Sequence, residues 1–295
     1  LCGSERYPVR DPFFMMLRRS LNTFMNAFTS SDWTAYPFAT QNRKDFGNLL
    51  DVYLDAVFFS RLDPLDFAQE GHRVEFENDD SAQPLVFKGV VFNEMKGAMS
   101  STPSILWDRL CHELFPSNTY HFNSGGDPEH IPDLSYQELR DFYAEHYHPS
   151  NAIFLTFGDI SAEAHQQVFE AQVLQRFEAL ERKIEVALET PFTAPVQATH
   201  PYAVDAEEGT EKKTHLVMGW KLGESADLTA MLEAQLVSSV LMENSASPLM
   251  HYLETTDRGA APSPLCGLEE SMREMVFCCG IEGSEAEHAE AFETE

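Results

Sequence analysis

A single carboxylate, Glu94, is the residue with the clearest capacity for chemistry in this sequence. It lies in residues 85–101, LVFKGVVFNEMKGAMSS, where the spacing of apolar residues predicts a short amphipathic helix. Residues three, four and seven positions from Glu94 share its helix face, and nearly all are apolar or small: Phe87, Val90, Val91, Gly97, Ala98 and Ser101. A carboxylate on a core-facing stripe is unfavourable unless a partner such as a metal cation compensates its charge. A salt-bridged or solvated glutamate at the edge of the stripe is the alternative, and this helix alone does not decide between them.

Histidine and cysteine, which also bind metals, are present without a metal-binding spacing. The eleven histidines include no HxxxH or HxxEH pair, and the densest group is Glu145-His146-x-His148. Positions i and i+2 of a helix point apart, so this group does not provide a pair of ligands there. The five cysteines are odd in number, scattered and without a CxxC motif, which predicts reduced thiols in a reducing compartment.

The composition is that of a globular protein with a strongly acidic balance. Hydrophobic residues make up 43% of the 295 residues and aromatic residues 12%, which is enough for a sizeable core. No apolar run reaches the roughly 18 residues of a membrane span. The formal net charge of −28 disfavours nucleic acids and anionic membranes as partners and favours cationic ligands such as basic peptides. Simple solubility or a salty habitat explains the same charge equally well.

The elements that must position these residues alternate between helices and short strands. We predict helices over residues 13–25, 45–59, 85–101 and 161–184, and one more that starts at a capping box formed by Ser135 and Glu138. Strands are predicted over residues 33–40, where Pro37 indicates an edge, and over the continuous apolar run 152–157. The long loop of residues 118–132 carries Gly125 and Gly126.

A change in composition divides the chain into two parts. Residues 185–213 contain three prolines, many charges and no clear period, which is typical of a linker. The pattern then restarts with a strand at 214–220, helices at 226–242 and 248–256, and a strand at 272–281. The predicted fold class is therefore α+β, with a first domain over residues 1–184, a linker over residues 185–213 and a second, similar domain over residues 214–295.

Four separated segments, in the correct order, resemble one family of enzymes. They are residues 1–42 (LCGSERYPVRDPFFMMLRRSLNTFMNAFTSSDWTAYPFATQN), 86–97 (VFKGVVFNEMKG), 122–136 (FNSGGDPEHIPDLSY) and 146–159 (HYHPSNAIFLTFGD). They are similar to the presequence-protease branch of the pitrilysin/insulinase zinc metallopeptidases. The resemblance covers residues 1–159 and continues more weakly to the end of the sequence.

The resemblance implies a large peptidase of two halves that close around an internal chamber. Each half has two α+β domains, with mixed or antiparallel sheets packed with helices. The family's zinc site is an inverted H-x-x-E-H motif on a helix plus a distal glutamate, and Glu94 in NEMKG matches that distal ligand. In the family the H-x-x-E-H motif lies just before LCGS, and it is missing upstream of Leu1 here. We therefore expect a first domain truncated at its N-terminus and an incomplete Zn²⁺ site, with no catalytic residue present.

The resemblance also implies where a substrate binds. After the first long helix, a strand edge accepts the backbone of an extended peptide, and Asn26, Ala27 and Phe28 match that segment. From the residues alone, a turn or strand end with a buried Phe28 is the alternative. Structural roles are expected for five residues that the resemblance places in the chamber wall: Trp107, Arg109, Asn123, Gly125 and Gly126.

The intact protein is thus predicted to be a zinc-dependent metalloendopeptidase that degrades unstructured peptides such as targeting presequences. The chain alone is expected to be inactive, because a catalytic zinc needs about three protein ligands. Expected partners are extended peptides, basic ones among them, and the second half of the same polypeptide, but neither nucleic acid nor membrane. The expected location is the cytoplasm in a bacterium and the mitochondrial matrix in a eukaryote. A non-catalytic peptide-binding or structural subunit of the same superfamily is the alternative.

Overall fold

The structure, a computed structural model, describes residues 2–181, 183–205, 207 and 209–295 as a succession of short helices and strands. The helices are α1 (Pro12–Arg19), α2 (Arg43–Phe58), α3 (Pro64–Asp66), α4 (Val90–Ala98), α5 (Thr102–Leu114), α6 (Tyr136–His146), α7 (Ala162–Gln172), α8 (Leu228–Met242), α9 (Pro248–Thr255) and α10 (Ala289–Thr294). The strands are β1 (Asn22–Met25), β2 (Phe28–Thr29), β3 (Thr34–Ala35), β4 (Phe38–Thr40), β5 (Arg73–Phe76), β6 (Leu85–Lys88), β7 (Thr214–Glu224), β8 (Ala261–Pro262), β9 (Gly267–Glu269) and β10 (Glu274–Ser284). None of the helices in these ranges combines the length and the apolar character that a bilayer crossing demands.

The chain folds as two compact units that interleave along the sequence. The first unit consists of Leu1–Lys96 and Gly125–Glu185, and the second of Gly97–Ser124 and Val186–Glu295. Both mix helices with antiparallel strand pairs, so the predicted α+β class is confirmed. The assignment of residues 1–184 and 214–295 to two similar metallopeptidase-type domains, joined by a linker at 185–213, stays a prediction.

Helix α2 is the centre of the first unit. Asn42 caps it, because its side-chain oxygen accepts hydrogen bonds from the backbone N–H groups of Lys44 and Asp45. One part of α2 packs with the β1–β4 pair and another packs with α7, so two apolar clusters meet along this helix. The buried members are Met25, Leu49 and Tyr53 in the first cluster, and Leu54, Phe58, Phe169 and Val173 in the second.

Residues 22–40 form one long β-hairpin with a short interruption. Strand β1 pairs with β4 and β2 pairs with β3, both antiparallel, and between them the N–H of Asn26 donates to the carbonyl of Pro37 over 3.1 Å. Pro37 lies between β3 and β4, where its lack of an N–H is tolerated. The helix predicted over residues 13–25 is therefore wrong beyond Arg19. The pairing of β1 with a distant strand overrides the local helical spacing.

Residues 85–101 are not a single helix, contrary to the prediction. Leu85–Lys88 are strand β6, which pairs with β5 in a second hairpin, and α4 begins only at Val90. Short apolar runs do not distinguish strand from helix by their period alone. Here the pairing of Leu85–Lys88 with the strand at Arg73–Phe76 makes the difference.

The apolar run 152–157 is extended but unpaired, so the prediction of a buried strand is wrong. Phe154 packs against the α2–α7 cluster, whereas Ile153, Leu155 and Phe157 are 95%, 91% and 102% exposed. Among the described residues, no backbone hydrogen bond joins residues 153–157 to another strand. The alternation is that of a strand with only one covered face. The following helix α7 is also shorter than predicted and ends at Gln172.

The second unit is built around strand β10. This strand pairs antiparallel with β7, β8 and β9, which confirms the strands predicted at 214–220 and 272–281. Helices α8 and α9 also lie where helices are predicted. Together these elements carry two buried apolar clusters, with members on α5, α8, α9 and β10.

A buried carboxylate fastens the start of the predicted linker to the second unit. Glu189 is almost completely buried, and its side chain accepts hydrogen bonds from Ser117 N (2.8 Å), Ser117 Oγ (2.7 Å) and Thr190 N (2.9 Å). Burial acts to raise the pKa of Glu189, but the hydrogen bonds from Ser117 and Thr190 hold it below the usual value. Irregular backbone near residue 189 is thus held in place by specific hydrogen bonds.

Candidate peptide-binding edge and metal-ligand residue

Asn26, Ala27 and Phe28, the predicted peptide-binding residues, lie along the outer edge of the 22–40 hairpin. All three are exposed, and this edge pairs with no other strand in the described ranges. Phe28 is 42% exposed, which excludes the alternative of a buried Phe28 at a strand end. An unpaired edge presents N–H and C=O groups that a further strand can bind.

The register of the hairpin determines which backbone groups point outward. Ser30 N donates to Trp33 O over 2.8 Å, and Phe28 pairs with Ala35. Hydrogen-bonded and non-hydrogen-bonded pairs alternate along an antiparallel ladder. The backbone N–H and C=O of Phe28 therefore bond inward to Ala35, and the backbone N–H and C=O of Thr29 point to the open edge.

Thr29 is a candidate binding residue that the sequence does not identify. Its N–H and C=O have no partner in the described part of the chain. The backbone groups of Ala27 also point to the open edge, but the N–H of Ala27 already donates to the side-chain oxygen of Asn26 over 2.8 Å. The free groups are thus both backbone groups of Thr29 and the carbonyl of Ala27. The register that selects them depends on the turn at residues 30–33, which a residue pattern does not reveal.

Glu94 lies on the solvent-exposed side of α4. The buried residues of this helix are Phe92 and Met95, whereas Val90 and Val91 are exposed. The prediction that Glu94 lies on a core-facing stripe is therefore wrong: the opposite side of α4 faces the core. The carboxylate of Glu94 makes no hydrogen bond or ion pair with any residue that the structure describes.

Two close approaches fix the helix that carries Glu94. A Cβ atom on Gly89 would lie 2.0 Å from the carbonyl oxygen of Gly71, so only glycine fits between β6 and α4. A Cβ atom on Gly125 would lie 2.2 Å from Met95 Sδ, on the buried side of α4. Gly125 thus packs closely against Met95 of α4, which agrees with the structural role expected for Gly125.

The described residues do not form a complete metal site. In the ranges given above, no group of three or more His, Cys, Asp or Glu side chains is placed to hold a metal ion. A catalytic zinc needs about three protein ligands, and Glu94 offers one. The residues present therefore do not fit a catalytic metal by themselves.

An ion pair that the sequence does not reveal anchors the first residues of the chain on α2. Asp55 is fully buried and accepts hydrogen bonds from Arg6 N (2.8 Å) and Arg6 Nε (3.0 Å), while Arg6 Nη1 donates to Asp51 (2.8 Å). Tyr7 donates its hydroxyl hydrogen to Asp51. Burial acts to raise the pKa of Asp55, but the hydrogen bonds and the charge of Arg6 hold it below its usual value. Asp51 and Asp55 are one helical turn apart, yet their partner is more than forty positions away, so spacing alone does not identify it.

The cysteines show no sign of a reactive site. All five thiols are free. Burial raises the pKa of Cys111, Cys278 and Cys279 to about 12, so these three remain protonated near neutral pH. Their contribution is to the apolar packing of the second unit.

Comparison with known proteins gives one family match and a set of close relatives. The sequence profile described as the peptidase M16 inactive domain matches residues 133–294. The chain is 47% identical over 285 residues to the mitochondrial presequence protease of Danio rerio and 45% identical over 287 residues to that of Mus musculus. Each alignment covers 96% of this chain but only 28% of the relative, so the chain spans little more than a quarter of their length.

Two solved structures share the fold. A protease from Helicobacter pylori superposes with a TM-score of 0.68 at 19% identity, covering 97% of this chain and 63% of that one. The first half of the periplasmic protease PqqL from Escherichia coli superposes with a TM-score of 0.55 at 14% identity, covering 95% of this chain and 57% of that one. At these identities the likeness concerns the fold alone.

Proposed function

The chain belongs to the M16 family of peptidases, and from this premise we propose that it is one segment of a zinc-dependent metalloendopeptidase that degrades unstructured peptides. Its own task in that enzyme is to bind an extended peptide along the edge of residues 26–29. The observation that supports this most is the open edge itself, with the backbone groups of Thr29 unbonded in the described part of the chain. The presequence proteases among the relatives support targeting presequences as substrates.

Strand addition explains a preference for unstructured peptides. The added strand is held mainly by backbone hydrogen bonds, which any extended sequence can make. A folded protein has most of its extended backbone already paired and is therefore disfavoured. The formal net charge of −28 raises the local concentration of cationic ligands, which favours basic peptides over acidic ones.

Glu94 is the residue of this chain that we propose as a zinc ligand. Its carboxylate is exposed and unpartnered among the described residues, on a helix held in place by Gly89 and Gly125. The other ligands and the general base belong to an H-x-x-E-H motif that residues 1–295 do not contain. We therefore expect weak zinc affinity and no peptide hydrolysis from this chain alone.

A second candidate is a non-catalytic peptide-binding or structural subunit of the same superfamily. It is favoured by the description of the matched M16 profile as an inactive domain. Both candidates use the same peptide edge and differ in the sequence that precedes residue 1. An H-x-x-E-H motif encoded there supports the enzyme, and other residues at those positions support the subunit.

The location and the assembly follow from the same premise. The relatives are mitochondrial proteins, which supports the mitochondrial matrix for a eukaryotic source. The chain covers 28% of their length, so the second half of the same polypeptide is the proposed partner across the substrate chamber.

Peptide binding and hydrolysis by the purified chain test this proposal together. We expect saturable binding of a fluorescein-labelled basic peptide of unfolded sequence, measured by fluorescence anisotropy. We also expect no cleavage of a quenched fluorescent version of that peptide, with or without added Zn²⁺. Zinc-dependent cleavage by the chain alone would show that a complete site exists within it, and the absence of any peptide binding would refute the proposed edge.

A further inference from the structure

Two histidine rings lie against each other at the end of α5, in the second unit, and take no part in the proposed peptide site. His112 is in the last turn of α5, and His121 ends the short helical turn Thr119–His121 that follows. The two ring centroids are 3.8 Å apart, with an angle of 38° between the rings. The pair depends on the turn that brings His121 back to α5, so the residue pattern alone does not indicate it.

One nitrogen atom of this pair is buried and unsatisfied. Nδ1 of His121 is shielded from solvent and has no hydrogen-bond partner among the described residues. The ring of His121 packs against His112 and, edge to face, against Phe122 at 4.8 Å between centroids, but neither contact satisfies this nitrogen. Nearly all buried polar atoms in proteins are hydrogen-bonded, so an exception calls for an explanation, and binding of an ion is one. A neutral imidazole nitrogen is also the commonest metal ligand in proteins.

His112 is placed to bring a second nitrogen atom to the same point. It is exposed, so its ring can change rotamer without displacing packed residues. Two nitrogen atoms bound to one tetrahedral metal ion, each at about 2.0–2.1 Å from it, lie about 3.3 Å apart. Rings whose centroids are 3.8 Å apart come within that range when the exposed ring turns. The two imidazoles can therefore share one ion.

The electrostatic surroundings of the pair favour a cation. His112 lies in the last turn of α5, where unpaired carbonyl groups and the helix dipole provide partial negative charge. The neighbouring carboxylate of Glu113 is bonded to Nε2 of His200 over 2.8 Å, and the ring centroid of His200 is 6.5 Å from that of His112. Because Glu113 and His200 bind each other, we count neither of them as a ligand.

We propose that His112 and His121 form a binding site for a divalent transition-metal ion such as Ni²⁺ or Zn²⁺, with water completing the coordination. Imidazole ligands suit these ions, whereas Mg²⁺ and Ca²⁺ prefer oxygen ligands. With two protein ligands the site is not a catalytic centre, which needs about three. The bound ion joins the end of α5 to the turn Thr119–His121 within the second unit. Glu94 belongs to the first unit, so this site does not depend on the proposed function.

Isothermal titration calorimetry of the purified chain with NiCl₂ tests the site. We expect saturable binding of Ni²⁺ that Mg²⁺ in about tenfold excess does not displace, because Mg²⁺ prefers oxygen ligands. The His112→Ala and His121→Ala variants are each expected to bind Ni²⁺ at least about tenfold more weakly, because only one imidazole ligand remains. His112 is exposed, so its replacement leaves the packing intact and the test does not depend on how well His121→Ala folds.

A matched control comes from another exposed histidine of the same unit. His251→Ala, on α9, should bind Ni²⁺ as the unmodified chain does. The absence of saturable Ni²⁺ binding, unchanged affinity in His112→Ala, or an equal loss in His251→Ala contradicts the site. Loss of binding in Glu94→Gln, with normal binding in His112→Ala, would assign the ion to Glu94 and contradict the site as well. None of these outcomes alters the peptide binding that the proposed function predicts.

Discussion

Asp55 is the buried residue of α2 that holds Arg6 in place. It is a fully buried carboxylate whose two oxygens accept hydrogen bonds from the backbone and the side chain of Arg6. An amide in place of this buried carboxylate has one acceptor oxygen instead of two, so a buried polar group is left unsatisfied, which costs about 1–3 kcal/mol. The segment that Arg6 anchors runs directly into α1 and then into the peptide edge.

The Asp55→Asn variant is expected to lower the free energy of unfolding by about 2–3 kcal/mol near neutral pH. The pKa of Asp55 is lowered in the folded chain. The stabilisation that the Asp55 carboxylate provides is therefore fully present above the unfolded pKa of about 3.9 and is lost as the pH falls through the folded pKa. Urea unfolding at a series of pH values should therefore show the two proteins converging in acid. Asp159→Asn is the matched control, because the Arg43–Asp159 pair is exposed on both sides and should contribute nothing measurable. An equal loss in both variants, or a difference that persists in acid, would contradict this role for Asp55.

Glu94 shows what a residue pattern can and cannot predict at this scale. The motif around it identifies the family, which the comparisons confirm, but the helical stripe places it on the wrong side of α4. The stripe counted Phe87 as helical, and Phe87 is in β6. Asn26 to Phe28 are exposed on an edge as expected, whereas Thr29 and the Arg6–Asp55 pair depend on register and on contacts distant in sequence.

Among the elements, the junction of β6 and α4 is the most tightly constrained. Gly89 lies against the backbone of Gly71, so the hairpin and the helix meet with no room for a side chain. Elements with capping signals or long periodic patterns, such as α2 and α6, were predictable from the sequence. The β5–β6 hairpin was not, because its two strands are short and separated by a polar loop.

The Gly89→Ala variant is expected to destabilise the chain by about 1–3 kcal/mol, since its methyl group meets a backbone oxygen that cannot rotate away. Gly97→Ala, in the same helix, is the control, because nothing lies within 4 Å of its added Cβ and alanine favours the helix by about 0.5–1 kcal/mol. Urea denaturation of the two variants measures the difference. Similar stability of both variants would show that the β6–α4 junction has room to adjust.

The run 152–157 leaves three large apolar side chains almost completely exposed, namely Ile153, Leu155 and Phe157. Extended, uncharged and β-prone segments of this kind pair readily with copies of themselves when nothing covers them. The sequence predicted a buried strand here, and the structure shows an extended segment for which the described residues contain no partner strand.

The Leu155→Lys variant is expected to reduce self-association of the purified chain. Sedimentation velocity over a range of concentrations measures self-association. The experiment is done in about 1 M salt, because a Debye length of about 3 Å screens the repulsion between acidic copies of the chain. Leu65→Lys introduces the same charge at another exposed leucine of the same unit and should leave self-association unchanged. If the unmodified chain stays monomeric under these conditions, the run 152–157 does not act as a pairing edge.

The whole molecule is an acidic α+β chain with an exposed, unpaired strand edge at residues 26–29 and an exposed carboxylate at Glu94. The family match leads us to expect a peptidase, and the described residues contain an unpaired strand edge but no complete metal site. We therefore expect this chain to bind peptides without hydrolysing them. The central claim is that the edge at Thr29 binds the peptide backbone.

Peptide affinity of the Thr29→Pro and Thr34→Pro variants tests that claim most directly. Thr29 and Thr34 face each other in a non-hydrogen-bonded pair, so their N–H groups point away from each other, to opposite edges of the hairpin. A proline at either position therefore removes one outward N–H group and breaks no hydrogen bond between β2 and β3. We expect the Thr29→Pro variant to bind an unstructured basic peptide about tenfold more weakly, and the Thr34→Pro variant to bind it as the unmodified chain does. Unchanged affinity in Thr29→Pro, or an equal loss in both variants, would contradict it.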